Sequence, residues 1–388
     1  MDQGAVPQVL FVSKPMSPPF RDGSKCLVRD LTMHVDQVHP HVMSTRAGAT
    51  ELMDHATLHA VYSDAGRFAP GLRQNLQAFA WLLGSRRFDL WHSVFAPNPK
   101  SSRALSALSR IRSTPVCQTI ASPPRHFDHP ERLLFGDVVV AQSAWTQKQF
   151  LNAYSDSGQL APNIVEIPPP CPPVVTPTPL QVSEVRRELG LDADDVLLVY
   201  PGDLEVSSAA RFLVSLATAW RDALPRAKLL IAYRDKTERS AEMARDLQQI
   251  ADPERVIFRQ NVPDILGVLA ASSAVLFPVN DLYGKVDLPI VLLEAMALGT
   301  PVLVLDQGPL RSLKGALRLP LEAASWIETV AALDHDGSMR SKLVEEGRAA
   351  ISHDYHPSQV TRAYQTVYHE ILKENLRDRD TRHSPLGR

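Results

Sequence analysis

Short apolar runs recur along this chain, and the stretches between them space their apolar residues at helical intervals. Gln8 to Ser13 reads as a buried strand, and the helix after it carries Leu27, Val28, Leu31 and Val35 on one stripe. His41 to Thr45, Phe88 to Ser93, Pro115 to Ile120 and Val138 to Gln142 are further strand candidates. Gln74 to Leu83 and Ser101 to Ile111 are helical patterns lying between them. Strands joined through helices run parallel, so the expected fold class is α/β with a doubly wound sheet.

A proline-dense run interrupts this series. Ile167-Pro168-Pro169-Pro170-Cys171-Pro172-Pro173 through Pro179 lacks the backbone donors that helices and sheets need, and reads as a semi-rigid connector. Beyond it the alternation restarts, with strands expected at Val196 to Tyr200, Lys228 to Ala232, Val256 to Arg259, Ala274 to Pro278 and Val302 to Leu305. Two doubly wound, Rossmann-like domains facing a cleft are therefore expected. The first spans residues 1–166, the linker 167–183 and the second domain 184–354. A helix over 355–374 follows, and the charged tail 375–388 reads as disordered.

A length of 388 residues suits two cores, and 44% hydrophobic with 22% charged residues is ordinary for a globular protein. A formal net charge of −2 provides no field to hold nucleic acid. Val9 to Val12 is too short for a signal sequence, and no run reaches the roughly 20 apolar residues of a spanning helix. Cys26, Cys117 and Cys171 are odd in number and lack metal-ligand spacing, which fits a reducing cytoplasm.

The richest stretch runs from Phe277 to Leu305. A strand ends at Pro278 and a polar loop reaches Val286. Asp287 is placed to cap a helix over Leu288 to Leu298, with Pro289 in its first turn, and Gly299 and Pro301 end it. Glu294, seven residues after Asp287, then returns to nearly the same helix face. Carboxylates at the C-terminal end of a strand stand where open sheets bind ligands, and a ribose diol is a suitable partner. The plain alternative is a helix cap and a surface carboxylate.

The segment Asp287-Leu-Pro-Ile-Val-Leu-Leu-Glu294-Ala-Met-Ala-Leu-Gly299-Thr-Pro301-Val302 resembles the donor-site signature of family 4 glycosyltransferases with the GT-B fold. In that family two glutamates eight residues apart precede Ala-Met-Ala-x-Gly-x-Pro-Val. The opening Ser13-Lys14-Pro15 to Gly23-Ser24-Lys25, the strand Val138 to Ser143, Asn163 to Pro168 and the closing helix around Tyr364 and Tyr368 are also similar. The resemblance implies that Glu294 holds the ribose of a nucleotide-sugar, with Pro289 and Ile290 beside the donor. It also implies that the last helix crosses back onto the N-terminal domain.

The chain departs from the family pattern at three places. The first glutamate falls at Val286, leaving Asp287 or Lys285 to take its catalytic role. The usual Gly-Arg and following lysine are replaced by Gly202-Asp203-Leu204-Glu205-Val206-Ser207-Ser208. The histidine expected after the fourth strand aligns with Ala121. Arg234, Lys236 and Lys285 are then the candidates to balance a diphosphate, the alternative being solvated loop charges. Gly23 and Ser24 open a helix whose free amides favour anions. His92 and His126 stand near strand ends as a base or acceptor ligand, or as ordinary loop histidines.

The expected reaction is glycosyl transfer from a UDP- or GDP-type sugar to a polysaccharide, glycolipid or small-molecule acceptor. It is expected to retain anomeric configuration and to use neither metal nor cofactor. A nucleotide-sugar epimerase and a non-catalytic nucleotide-sugar binder are the rival readings. The helix Lys100 to Arg112 mixes Leu105, Leu108 and Ile111 with Arg103, Arg110 and Arg112, compatible with peripheral docking at the inner membrane surface. A helix that merely covers the sheet has the same pattern.

Overall fold

A computed structural model describes residues 6–18, 20, 22–64, 71–234 and 238–383. Among these, the strands of the first half are β1 (Gln8–Met16), β2 (His39–Thr45), β3 (Thr57–Tyr62), β4 (Leu90–Phe95), β5 (Val116–Ile120), β6 (Val138–Ala141) and β7 (Asn163–Glu166). Helices α1 (Gly23–His34), α2 (Leu72–Gly84), α3 (Pro99–Arg112) and α4 (Ala144–Asp156) alternate with them. The second half runs α5 (Pro179–Glu188), β8 (Val196–Pro201), α6 (Ala209–Ala219), β9 (Ala227–Tyr233), α7 (Glu238–Ile250), β10 (Val256–Gln260) and α8 (Ile265–Ala271). It continues with β11 (Ala274–Phe277), α9 (Ile290–Leu298), β12 (Val302–Leu305), β13 (Leu317–Leu319), α10 (Ala323–His335), α11 (Gly337–His353) and α12 (Pro357–His383).

The chain divides into two units. The first comprises Met1–Pro170, Gly284–Asp287 and Pro357–Arg388, and the second Cys171–Tyr283 and Leu288–His356. The first unit holds a parallel sheet ordered β3-β2-β1-β4-β5-β6-β7, the second a parallel sheet ordered β10-β9-β8-β11-β12-β13. Central strands such as Ala274–Phe277 and Val302–Leu305 are buried along their whole length, so they are apolar throughout rather than alternating. Each order reverses once, between β1 and β4 and between β8 and β11. Open parallel sheets bind ligands beyond the strand C-termini at such reversals.

The last helix lies within the first unit. Tyr364 and Tyr368 are buried in that unit's core, and Tyr364 meets Thr119 of β5 at 3.2 Å. Two expectations need correction. The polar run from Asn375 does not begin a disordered tail, because α12 continues to His383. The connector also ends sooner than residue 183. Thr178 and Gln181 form a reciprocal capping box, and Pro179 at the first helical position starts α5 there.

Candidate functional site

In the second unit the loops after β8, β9 and β11 are tied together at the sheet's reversal. Gly202 follows β8 directly, and a Cβ on it would stand 2.3 Å from the Tyr200 ring, so only glycine fits. The buried Tyr200 hydroxyl donates to the Asp203 carbonyl at 2.9 Å. The Asp203 carboxylate is buried, and Arg234, just past β9, lies 3.8 Å from it with about half of its side chain in solvent. Ser240 donates to Glu205. Ser207 Oγ donates to Asn280 Oδ1 at 2.9 Å, and the Ser208 amide donates to the same oxygen at 3.3 Å. The loop after β8 is thereby stapled to the loop after β11.

Helix α9 follows β11, with Pro289 at its N-cap and Gly299 closing it at φ 82°. The helix is apolar around its circumference, and Pro289 and Ile290 are buried. Glu294 is the polar exception, half-buried in the second turn. Lys236 lies outside the described residues. Arg234 stands at the stapled rim, paired with Asp203.

Asp287 does not cap α9. The helix begins at Ile290, and Asp287 belongs to the first unit, where it is fully buried and accepts from Ser143 Oγ at 2.6 Å. Ser143 is itself the N-cap of α4, accepting from the Thr146 amide at 3.1 Å. Burial raises the Asp287 carboxyl to about 6, against the lowering by Ser143 and Thr146 and with a further rise from Glu166. The expected acidic pair on one helix face is therefore not formed, since Asp287 precedes the helix that carries Glu294. Lys285 sits half-buried in the same Gly284–Asp287 segment.

Gly23 and Ser24 are engaged by the protein itself. Asp22 caps α1, accepting from the Ser24 amide at 2.9 Å and the Ser24 hydroxyl at 2.5 Å, while Lys14 pairs with its other oxygen at 2.7 Å. A Cβ on Gly23 would stand 2.6 Å from Val286 Cγ1, so the close approach that needs glycine is made by Val286. The carboxylate already in place leaves that helix terminus a poor site for a second anion.

His92 does not face solvent. It is completely buried in the middle of β4, with Nε2 2.7 Å from Thr119 Oγ1 and Nδ1 2.7 Å from the Tyr368 hydroxyl. Burial drops its pKa to about 3, so it is a neutral ring joining β4 to β5 and α12. With both nitrogens occupied it serves packing rather than proton transfer.

Residues 195–336 match the family described as Glycosyl transferases group 1. That stretch, which holds the stapled rim and α9, is similar to the glycosyltransferases of this family, and the match supports a transferase. No curated protein matches the chain in sequence. Among solved structures, HepE of Anabaena, crystallised with UDP and glucose, is 17% identical with a TM-score of 0.71, over 94% of this chain and 100% of that one. A glycosyltransferase from Rickettsia africae is 14% identical with a TM-score of 0.70, over 94% and 98%. WaaG, a glycosyltransferase of lipopolysaccharide biosynthesis, is 15% identical with a TM-score of 0.57, over 91% and 98%. These likenesses establish the GT-B fold.

Arg234 was a sequence candidate for the diphosphate and Asp203 and Ser207 stood in the departing segment, but neither the Ser207–Asn280 staple nor the Asp203–Arg234 pairing was read from sequence. Their signal was present: two serines before α6, and an asparagine just after an apolar strand. Such residues commonly bind local backbone, and nothing in their spacing shows that they bind each other across 73 positions.

Proposed function

We propose that this protein transfers a sugar from a nucleoside-diphosphate sugar, of UDP type in preference to GDP type, to a hydroxyl-bearing acceptor. The transfer proceeds on the cytoplasmic side, with retained anomeric configuration and without a metal or other cofactor. The acceptor classes in view are a growing polysaccharide, a glycolipid or a small molecule. The observation that supports this reading is that the group 1 match, residues 195–336, spans both the sheet reversal with its Arg234 and Ser207–Asn280 contacts and the apolar helix that carries Glu294. HepE, which shares the fold, was also crystallised with UDP-glucose.

In this reading Glu294 accepts the ribose hydroxyls, and the half-exposed Arg234 guanidinium faces charge growing on the departing diphosphate. Stabilisation of that charge lowers the barrier because the sugar develops oxocarbenium character as the bond breaks. Calorimetric titration with UDP-glucose and GDP-mannose, each with and without chelator, tests the donor. Binding of UDP-glucose that survives chelation is expected. Loss with chelator overturns the metal-free part, and failure of both nucleotides removes the donor reading.

A further inference from the structure

At the end of the first sheet away from its C-terminal rim, the beginnings of β1, β2 and β3 hold a histidine cluster that the donor chemistry does not use. His41 of β2 is buried, 2% exposed. Its ring packs against His59, His39 and Phe88, with centroids 5.2, 4.9 and 5.1 Å away, and its Nδ1 is 3.1 Å from His59 Nε2 on β3. His59 in turn packs on Trp81 of α2 at 5.0 Å. Arg86, just past the end of α2, lies over the Phe88 ring at 5.3 Å and reaches His41 from the other side. One guanidinium nitrogen, Nη2, meets both His41 Nε2 and Gln8 Oε1, the latter at 3.1 Å. Gln8 Oε1 closes the triangle, 2.8 Å from His41 Nε2.

The partners fix the state of the ring. A guanidinium donates and never accepts, so His41 Nε2 is the unprotonated nitrogen, and Nη2 has one proton for it and one for Gln8 Oε1. Nδ1–H of His41 then donates to His59 Nε2. Through Arg86 the ring ties the end of α2 to the first residue of β1, and through His59 it ties β2 to the edge strand β3. A second proton on His41 would turn an N–H against the Arg86 N–H and bring two cations into contact among aromatic rings. The charged and titratable groups facing His41 are Arg86, His59 and His39, none of them acidic. Asp89, at the same end of the sheet, accepts from the Gln8 backbone amide at 2.7 Å.

We propose that His41 is an acid-sensitive latch on this edge of the first unit: uptake of a proton by its ring breaks both ties, and β3 and the end of α2 open locally and reversibly. Burial, then Arg86, His59 and His39, pull the His41 pKa from 6.5 down to about 3, and burial and Arg86 lower that of His59. The opened chain titrates near the ordinary value and the closed one far below it. The latch is therefore at full strength above about pH 7 and weakens as pH falls through 6 and 5. An edge strand half in solvent is the part of a sheet that opens first. The brake acts on strands that carry none of the donor candidates, since Glu294, Arg234, Ser207 and Asn280 all belong to the second unit.

Hydrogen exchange of the full chain at pH 7 and pH 5, corrected for the intrinsic pH dependence of amide exchange, tests this. Protection over β3 and α2 is expected to fall by about tenfold at pH 5 and to recover on return to pH 7, while β8 of the second sheet keeps its own. His41→Gln can still accept from Arg86 and donate to His59 but takes up no proton in this range, so it should keep its protection at pH 5. Arg86→Met removes the opposing cation and should show a shallower pH dependence than wild type. Circular dichroism at pH 7 identifies folded variants, and Arg86→Met carries the test if His41→Gln misfolds. Wild-type protection unchanged at pH 5 overturns the proposal, as does an equal loss over β8. So does a pH dependence in the folded variants as steep as that of wild type.

Discussion

The C-terminal ends of the two sheets handle their polar groups differently. At the second sheet the groups are bound to one another: Ser207 to Asn280, Tyr200 to Asp203, Arg234 to Asp203 and Ser240 to Glu205. At the first sheet Ser17, Ser122 and Gln142, each just past a strand and each buried, make no side-chain hydrogen bond among the described residues. Internal bonds fix loop geometry before a ligand arrives, which suits repeated recognition of one chemical group such as a nucleoside diphosphate. Groups with spare hydrogen-bonding capacity reward whichever molecule supplies the complement and penalise one that does not. The bonded contacts of the second rim therefore suit a fixed partner, and the three groups of the first keep hydrogen-bonding capacity for one that supplies the complement.

The largest expected effect falls on the second rim. Glu294→Gln preserves shape and removes the charge that a ribose hydroxyl would meet. A hydrogen bond to a charged group is worth roughly 1.5–3 kcal/mol, so UDP binding should weaken by about ten- to a hundredfold. The melting temperature without ligand should change little. A destabilised protein whose folded fraction binds UDP normally would make Glu294 a structural anchor and end the contrast.

The next effect belongs to the first unit and depends on pH. The folded Asp287 carboxyl titrates near 6 rather than 3.8, so its burial carries no penalty below about pH 4 and a growing one as pH rises through 6. Asp287→Asn keeps a partner for Ser143 and cannot ionise. It should raise stability by on the order of 2 kcal/mol near pH 8, with the gain vanishing near pH 4. Thermal melts of both proteins across this range measure it. A constant difference at every pH would show that folding does not shift the Asp287 carboxyl from its ordinary value.

Much of this architecture was legible in the sequence, and the misreadings share a cause. Buried central strands announced themselves as apolar runs of the right length. The edge strand Thr57–Tyr62, half exposed and interrupted by His59, did not, nor did the three-residue strand Leu317–Leu319. His92 was placed at a strand end because the strand was drawn over Phe88 to Ser93. The strand actually covers Leu90–Phe95, and that shift moves His92 into the core beneath the α12 tyrosines. Asp287 fits a helix cap in every local respect, yet its partner Ser143 is 144 residues away. Local rules locate elements; a hydrogen bond between distant segments decides the boundary. Glu294 is conspicuous in the sequence because it is a charge inside an apolar helix, which needs no tertiary information to see.

The smallest effect is the one that separates a tied rim from a merely adjacent one. Ser207 is buried, its hydroxyl donates to Asn280 Oδ1, and the Asn280 amide approaches the same hydroxyl at 3.4 Å. Ser207→Ala removes both bonds, and the one its hydroxyl accepts from the Ala209 amide at 3.1 Å, but leaves the Ser208 amide to hold Asn280 Oδ1, so the loop should loosen without collapsing. The loss expected of one neutral hydrogen bond is about 1 kcal/mol. If the staple presets the rim, part of that appears as a severalfold weaker affinity for UDP, and little as a change in the melting temperature of the free protein. If the loops are held by their backbone alone, affinity is unchanged. Asn280→Ala removes the Oδ1 acceptor that both Ser207 and Ser208 use, so it should weaken UDP more than Ser207→Ala does. The reverse order would place the decisive contact on Ser207 itself, with the serine rather than the staple meeting the donor.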